Sequence, residues 1–181
     1  MSKIYVPCVS NNHSSVILKD ADDRKKLSGM HLSSMSESWV PLNFEFFWPK
    51  KGHSILPQIT YIVPSIAVRA DLVEIVVPNE RKDIELLPII LYGENWVIIN
   101  CLQETSDIDE RLSEMRRGIN GQIFMIKKLI VKRPLANGAE IFTVAGSNRA
   151  YTYVLDSFVE RVTSAKLSGL IFKPIGRIGD K

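Results

Sequence analysis

The chain has 181 residues, 45% of them hydrophobic, with 23 basic and 20 acidic side chains and a formal charge of +3. That suffices for one real core, and no compositional break suggests independent units, so a single domain over 1–181 is expected. The two signs of charge interleave rather than segregating into tails, a balance that neither demands nor forbids nucleic acid, and no run approaches the roughly 18 apolar residues that span a bilayer.

The N-terminal MSKIYVPCVSNNH reaches Pro7 and a polar turn too soon for the apolar core of a signal peptide, which makes the cytoplasm the expected compartment. Within it KIYVPCV (3–9) predicts a strand, and DADDRKKLSG (20–29) a short polar helix with an acidic first turn and a stop at Gly29. The Ser- and Met-rich MHLSSMSESWVP lacks periodicity and reads as a loop. NFEFFWP (43–49) is an aromatic strand stopped by Pro49. On it Phe44, Phe46 and Trp48 share one face and Phe47 takes the other, so core, loop or partner must cover both.

From 59 onward ITYIVPSIAVRADLVEIVVPNERKDIELLPII predicts a strand, a helix capped by Ser65, a polar turn and a strand. YTYVLDSFVERVTSAKLSGLIFKPIG has the same grammar. Aligning 60–69 with 152–161 superimposes Thr, Tyr, Ser and Arg, as a duplicated strand-helix-strand unit would, or as two ordinary units of that kind would. DIELLPIILYGENWVIINCLQ predicts a hairpin turning at Gly93, and GQIFMIKKLIVKRP with AEIFTVA a second antiparallel pair joined at PLANG. The expected class is α+β: a mostly antiparallel mixed sheet with a few packed helices.

No catalytic motif emerges. His13, His31 and His53 lie in polar turns without a nucleophile beside them, and GxSxG is absent, leaving Ser147 of VAGSNRA as a turn residue. Zinc spacings and phosphate loops are missing, and Cys8 and Cys101 read as reduced, buried thiols. Of the acids Glu104, Asp107, Asp109 and Glu110, Asp107 and Asp109 have a spacing that an oxygen-only divalent site uses, but the further oxygen ligands and the turn glycine of a calcium loop are missing, and Arg111 follows instead. Asp107, Asp109 and Glu110 suit the first turn of a helix capped by Thr105 or Ser106. Arg116, Arg117, Lys127, Lys128, Lys132 and Arg133 form a basic stretch, and the lysines interrupt an apolar run in the way that protects an edge strand.

Four segments over 60–176 resemble, in order and spacing, a bacterial family of immunity proteins from polymorphic-toxin and type VI secretion loci, the eleventh immunity class, once listed as a domain of unknown function. They are SIAVRADLVEIV with IELLPI; WVIINCLQETSDIDERLS, where Asn100, Asp109 and Ser113 fall on the family's positions; KKLIVKRP with AEIFTV; and YVLDSFVERVTSAKLSGLIFKPI. Ser106 departs from the pattern, which has an acid there, and residues 1–58 match nothing. The resemblance implies a cytoplasmic immunity protein that binds a cognate toxin stoichiometrically, with no cofactor, metal, catalytic residue or turnover. The toxin-facing surface is then expected from the acidic segment and the N-terminal aromatic region: Glu104, Asp107, Asp109, Glu110 and Trp48. A nucleic-acid-binding or regulatory module, and behind it a metal-dependent enzyme, are the alternatives.

Overall fold

The computed structural model describes residues 1–28, 34–47, 55–79, 81–147 and 151–179. In chain order its elements are β1 (Lys3–Val9), β2 (Ser15–Leu18), α1 (Arg24–Ser28), β3 (Leu42–Phe47), β4 (Ile59–Ile62), β5 (Ser65–Arg69), α2 (Val73–Val76), β6 (Ile84–Leu91) and β7 (Glu94–Cys101). There follow β8 (Glu104–Thr105), β9 (Glu114–Arg117), β10 (Ile123–Val131), β11 (Ile141–Val144), β12 (Tyr153–Leu155), α3 (Asp156–Ser164) and β13 (Leu170–Ile178). The fold is α+β, with strands dominant. No helix among the described residues is long and apolar enough to cross a membrane.

Two mixed, mostly antiparallel sheets carry the molecule, one ordered β2-β3-β6-β7-β5-β4 and the other β8-β11-β12-β1-β13-β10-β9. The second sheet bends until its ends meet. Residues 103–109 pair with β11 on one side, through Thr143 N–H to the Gln103 carbonyl (2.9 Å) and Ala145 N–H to the Thr105 carbonyl (2.9 Å). On the other side they pair with β10, through Lys132 N–H to the Asp107 carbonyl and Asp109 N–H to the Ile130 carbonyl, each 2.8 Å, around an Ile108–Val131 bridge. The ring so closed is filled by Ile4, Ile108, Leu129, Phe142, Tyr153 and Ile178. Closure satisfies backbone groups that an open edge would leave to water.

A second core lies between the sheets, where Ile66, Val68 and Ile99 meet Ile141 and Val154 and where α3 inserts Phe158 and Val162. The third covers the far face of the open sheet: Phe44, Phe46, Leu87, Ile89, Trp96 and Ile98 under Leu27, Met35 and Trp39. The loop that carries Met35 is held by Glu85, whose carboxylate accepts from Ser34 Oγ (2.6 Å), Met35 N–H (2.9 Å), Ser36 N–H (2.9 Å) and Asn100 Nδ2 (3.1 Å). Partial burial pushes the Glu85 carboxyl up, but these donors outweigh it and bring the group down to about 2. A carboxyl held that low corresponds to about 3 kcal/mol, or on the order of 1–2 kcal/mol after solvent screening at this partly open site. Because the folded value lies below the unfolded one, this stability is present above the ordinary carboxylate range and is lost as pH falls through it toward 2. Denaturant midpoints between pH 6 and pH 2 should therefore fall more steeply for the native chain than for Glu85→Gln.

β1, β3, the polar helix near 20 and the β6–β7 hairpin lie where the residue patterns put them. The hairpin turns at Tyr92 (φ 53) and Gly93 (φ 80), the pair of positive angles that a tight two-residue turn requires. Asp20 caps the polar helix by accepting from Asp22 N–H. Gly29 and Pro49 lie outside the described residues.

Three expectations are corrected. SIAVR is not the start of a helix but β5, with Ser65 buried in register with Ile62; the helix is only Val73–Val76, after a 3-10 turn at Ala70–Leu72. Its consecutive Ile66, Ala67 and Val68 are buried on both faces of the sheet, as a central strand demands. In the aligned 152–161 stretch, strand β12 is followed from Asp156 by a true helix, since Phe158 and Val162, four apart, bury one face. The two units therefore share a pattern and not a structure. β10 and β11 are not paired with each other either, because 103–109 sits between them. Finally, β10 is paired on both sides only over Leu129–Val131, while over Phe124–Lys128, which holds Lys127 and Lys128, it pairs among the described residues with β9 alone, the charged strand at the sheet's end.

Candidate functional site

Residues 104–125 carry four of the five side chains expected at a toxin-facing surface, Glu104, Asp107, Asp109 and Glu110. The expected helix start does not exist. Thr105 Oγ1 accepts from Asp107 N–H (3.2 Å), but Ile108 then runs extended to bridge Val131. Asp109 caps one isolated turn, its Oδ1 accepting from Arg111 N–H (3.0 Å) and Leu112 N–H (3.1 Å) while Ser113 N–H reaches the Asp109 carbonyl (2.9 Å). After that turn Glu114–Arg117 form β9, paired antiparallel with β10.

The candidate acids are thus brought onto one seam but not into one cluster. Glu104 is half-buried on β8, in register with Thr143. Asp107 accepts from Arg133 Nε at 2.7 Å, and Glu110 from Arg117 Nη2 at 2.5 Å. Asp109 is occupied with its turn, and Trp48 lies outside the described residues. Among the described residues no three His, Cys, Asp or Glu side chains converge as metal ligands would. His31 and His53 also lie outside the described residues. His13 is half-buried, and burial pushes its imidazole below its ordinary value. Ser147 donates to the Val144 carbonyl (2.6 Å) within a turn.

The positions matched to the immunity-family pattern are anchors rather than contacts in waiting. Asn100 is fully buried and helps hold Glu85. Ser113 Oγ accepts from Ile130 N–H (2.9 Å), and with Asp109 it fastens the turn to β10. Asp109→Ala should accordingly cost about 1 kcal/mol, the usual loss on removing such a cap, and a urea titration would read it.

What the acidic pattern did not announce is the apolar surface beside it. Leu112 is 52% exposed, Phe124 56% and Met125 40%, while Ile119 at the tip of the β9–β10 ribbon is fully open. Charged side chains flank them, and several are already matched: Arg117 with Glu110, and Lys127 with Glu114 at 3.2 Å. Alternation of EMRR against IFMIKK was the available signal for this ribbon, obscured by the helix-like acids before it. No protein-family model and no curated protein matches the chain.

Proposed function

We propose that the chain is a bacterial immunity protein that binds a cognate toxin one to one and blocks it without chemical turnover. The observation that carries the reading is the surface of Leu112, Ile119, Phe124 and Met125, large apolar side chains standing in water on one loop and ribbon. Large apolar side chains gathered in the open on one turn and ribbon favour a protein-binding surface, whereas singly scattered ones carry no such meaning. The order of the four segments that resemble the immunity family supports the same reading.

In it the apolar residues supply most of the binding energy, and the acids form a charged rim that sets encounter rate and specificity. Glu110 is the most available of them, its side chain 63% exposed. The exposed Glu110–Arg117 pair contributes little to stability, which makes Glu110 a clean probe of binding. With the product of the neighbouring reading frame as partner, Phe124→Ala and Leu112→Ala should each weaken the complex by about tenfold or more, as truncated anchors do. Glu110→Lys should slow association, and all three variants should unfold at the temperature of the native chain. Unchanged affinity in all three would remove this surface from the reading.

Arg116, Arg117, Lys127 and Lys128 on the same ribbon favour nucleic acid as the second reading. Two of those four already hold carboxylates. Binding to a DNA duplex that falls steeply with salt would favour it over the first.

A further inference from the structure

β10 and β13 run parallel but pair only where Leu129–Val131 meet Gly176–Ile178. N-terminal to that contact they part. A register shift on the β1 side places Ile175 in a bulge, and Pro174, which has no N–H, precedes it. A bulge bends its strand and a proline ends pairing, so β13 turns away from β10 here.

The parting opens a slot of about 240 Å³. Its floor is the ring's own core: Val6, Ile126, Tyr153 and Ile175. Its mouth carries Met125, Tyr151 and Lys173. A cavity of about 150 Å³ takes a benzene ring, so this one accepts a full aromatic side chain. Among the described residues no strand pairs with Phe124–Lys128 on the side facing β13, or with Leu170–Ile175 on the side facing β10, so backbone donors and acceptors line the approach. Of the nearby charges, Lys173, Lys128 and Arg116 form no salt bridge among the described residues, and Glu114, in register with Lys128, holds Lys127.

We propose that this slot receives one aromatic side chain from an extended, acidic segment of the protein partner. The aromatic ring replaces water on an apolar floor, the segment's backbone meets the free strand edges, and its carboxylates meet Lys173 and its neighbours. The assignment rests on the reading of the chain as a protein binder, and it names the feature of the partner that is read.

The test is a titration of the ¹⁵N-labelled chain with acetyl-Asp-Phe-Asp-amide, alongside acetyl-Asp-Ala-Asp-amide and acetyl-Lys-Phe-Lys-amide. Saturable shifts at Met125, Ile126, Tyr153 and Ile175 are expected from the first peptide and not from the other two. Lys173→Glu, at an exposed position, should weaken that binding by about tenfold without otherwise changing the spectrum. No saturable shift at the slot, equal binding of the Lys-Phe-Lys peptide, or indifference to Lys173→Glu would each overturn the proposal. The peptide titration needs no toxin, so the two readings fail separately. Slot binding without neutralisation of a toxin removes the immunity reading alone, and a toxin complex with a silent slot removes this one alone.

Discussion

Glu140→Ala should lower the free energy of unfolding by about 3 kcal/mol, because it strips the shared partner from two cations at the junction of the sheets. Glu140 directly precedes β11 and accepts from Arg161 of α3 through Nη1 (3.0 Å) and Nη2, and from Arg81 Nη1 (3.1 Å). Arg81 in turn grips Asp83 at the start of β6 in a two-pronged pair (2.9 and 3.0 Å) and donates to the Gly138 carbonyl (2.9 Å). The side chains of Glu140, Arg161 and Arg81 are 16%, 24% and 20% exposed, so none regains full hydration when a partner is lost. Breaking such a pair leaves a charge poorly solvated, which costs more than the pair's own attraction contributes. Burial raises the Glu140 carboxyl, but the Arg161 guanidinium, Ser157 and Arg81 more than reverse this and hold it below its ordinary value. The contribution of the knot is accordingly complete above the ordinary carboxylate range and fades as pH falls below it. Urea unfolding of Glu140→Ala and Glu140→Gln checks this: the alanine variant should lose more, and a loss under about 1 kcal/mol in both would mean that the knot is incidental.

Gly176→Ala should be at least as damaging, at about 3 kcal/mol or more, the upper end for forced overpacking. A Cβ at this position would lie 1.7 Å from the Leu129 carbonyl oxygen and 2.6 Å from its carbon, atoms of a neighbouring strand that no rotamer change can move aside. The short parallel contact of β10 with β13 closes one side of the ring, so the two strands must separate and expose Leu129 and Val131. Gly93→Ala is the contrasting control. Its φ of +80 strains any L side chain, a demand Gly176 does not carry, but nothing lies within 4 Å of its Cβ, and it should cost only about 1 kcal/mol. Thermal unfolding of the two variants side by side separates crowding from backbone preference, and equal losses would contradict the role given to Gly176.

Elements whose reason for existing is local were legible in the residues. The YGEN turn dictates the β6–β7 hairpin, alternation in LNFEFF dictates a strand with Phe44 and Phe46 inward, and Asp20 announces a helix start. Elements set by distant partners were not. SIAVR has a helix-compatible pattern and becomes a strand because cores lie on both sides of it. The acids after Cys101 illustrate the same limit at the candidate site. Carboxylates in a row look like a helix's first turn, and Asp109 does cap a turn, but β10 takes up the backbone on either side of it. Nothing within 103–109 says that this stretch joins two ends of a sheet some thirty residues further on. The exposed ribbon was hidden for a related reason, since β9 is a strand only by virtue of lying against β10.

The central claim is stoichiometric neutralisation through a protein-binding surface, and it is tested most directly by titrating this chain into the toxic product of the neighbouring reading frame while following the toxin's activity. Inhibition should rise linearly and end at one chain per toxin, with a complex of that composition recovered and the toxin unaltered after dissociation. Inhibition completed by a small fraction of an equivalent, or no complex and no inhibition at any ratio, would contradict it.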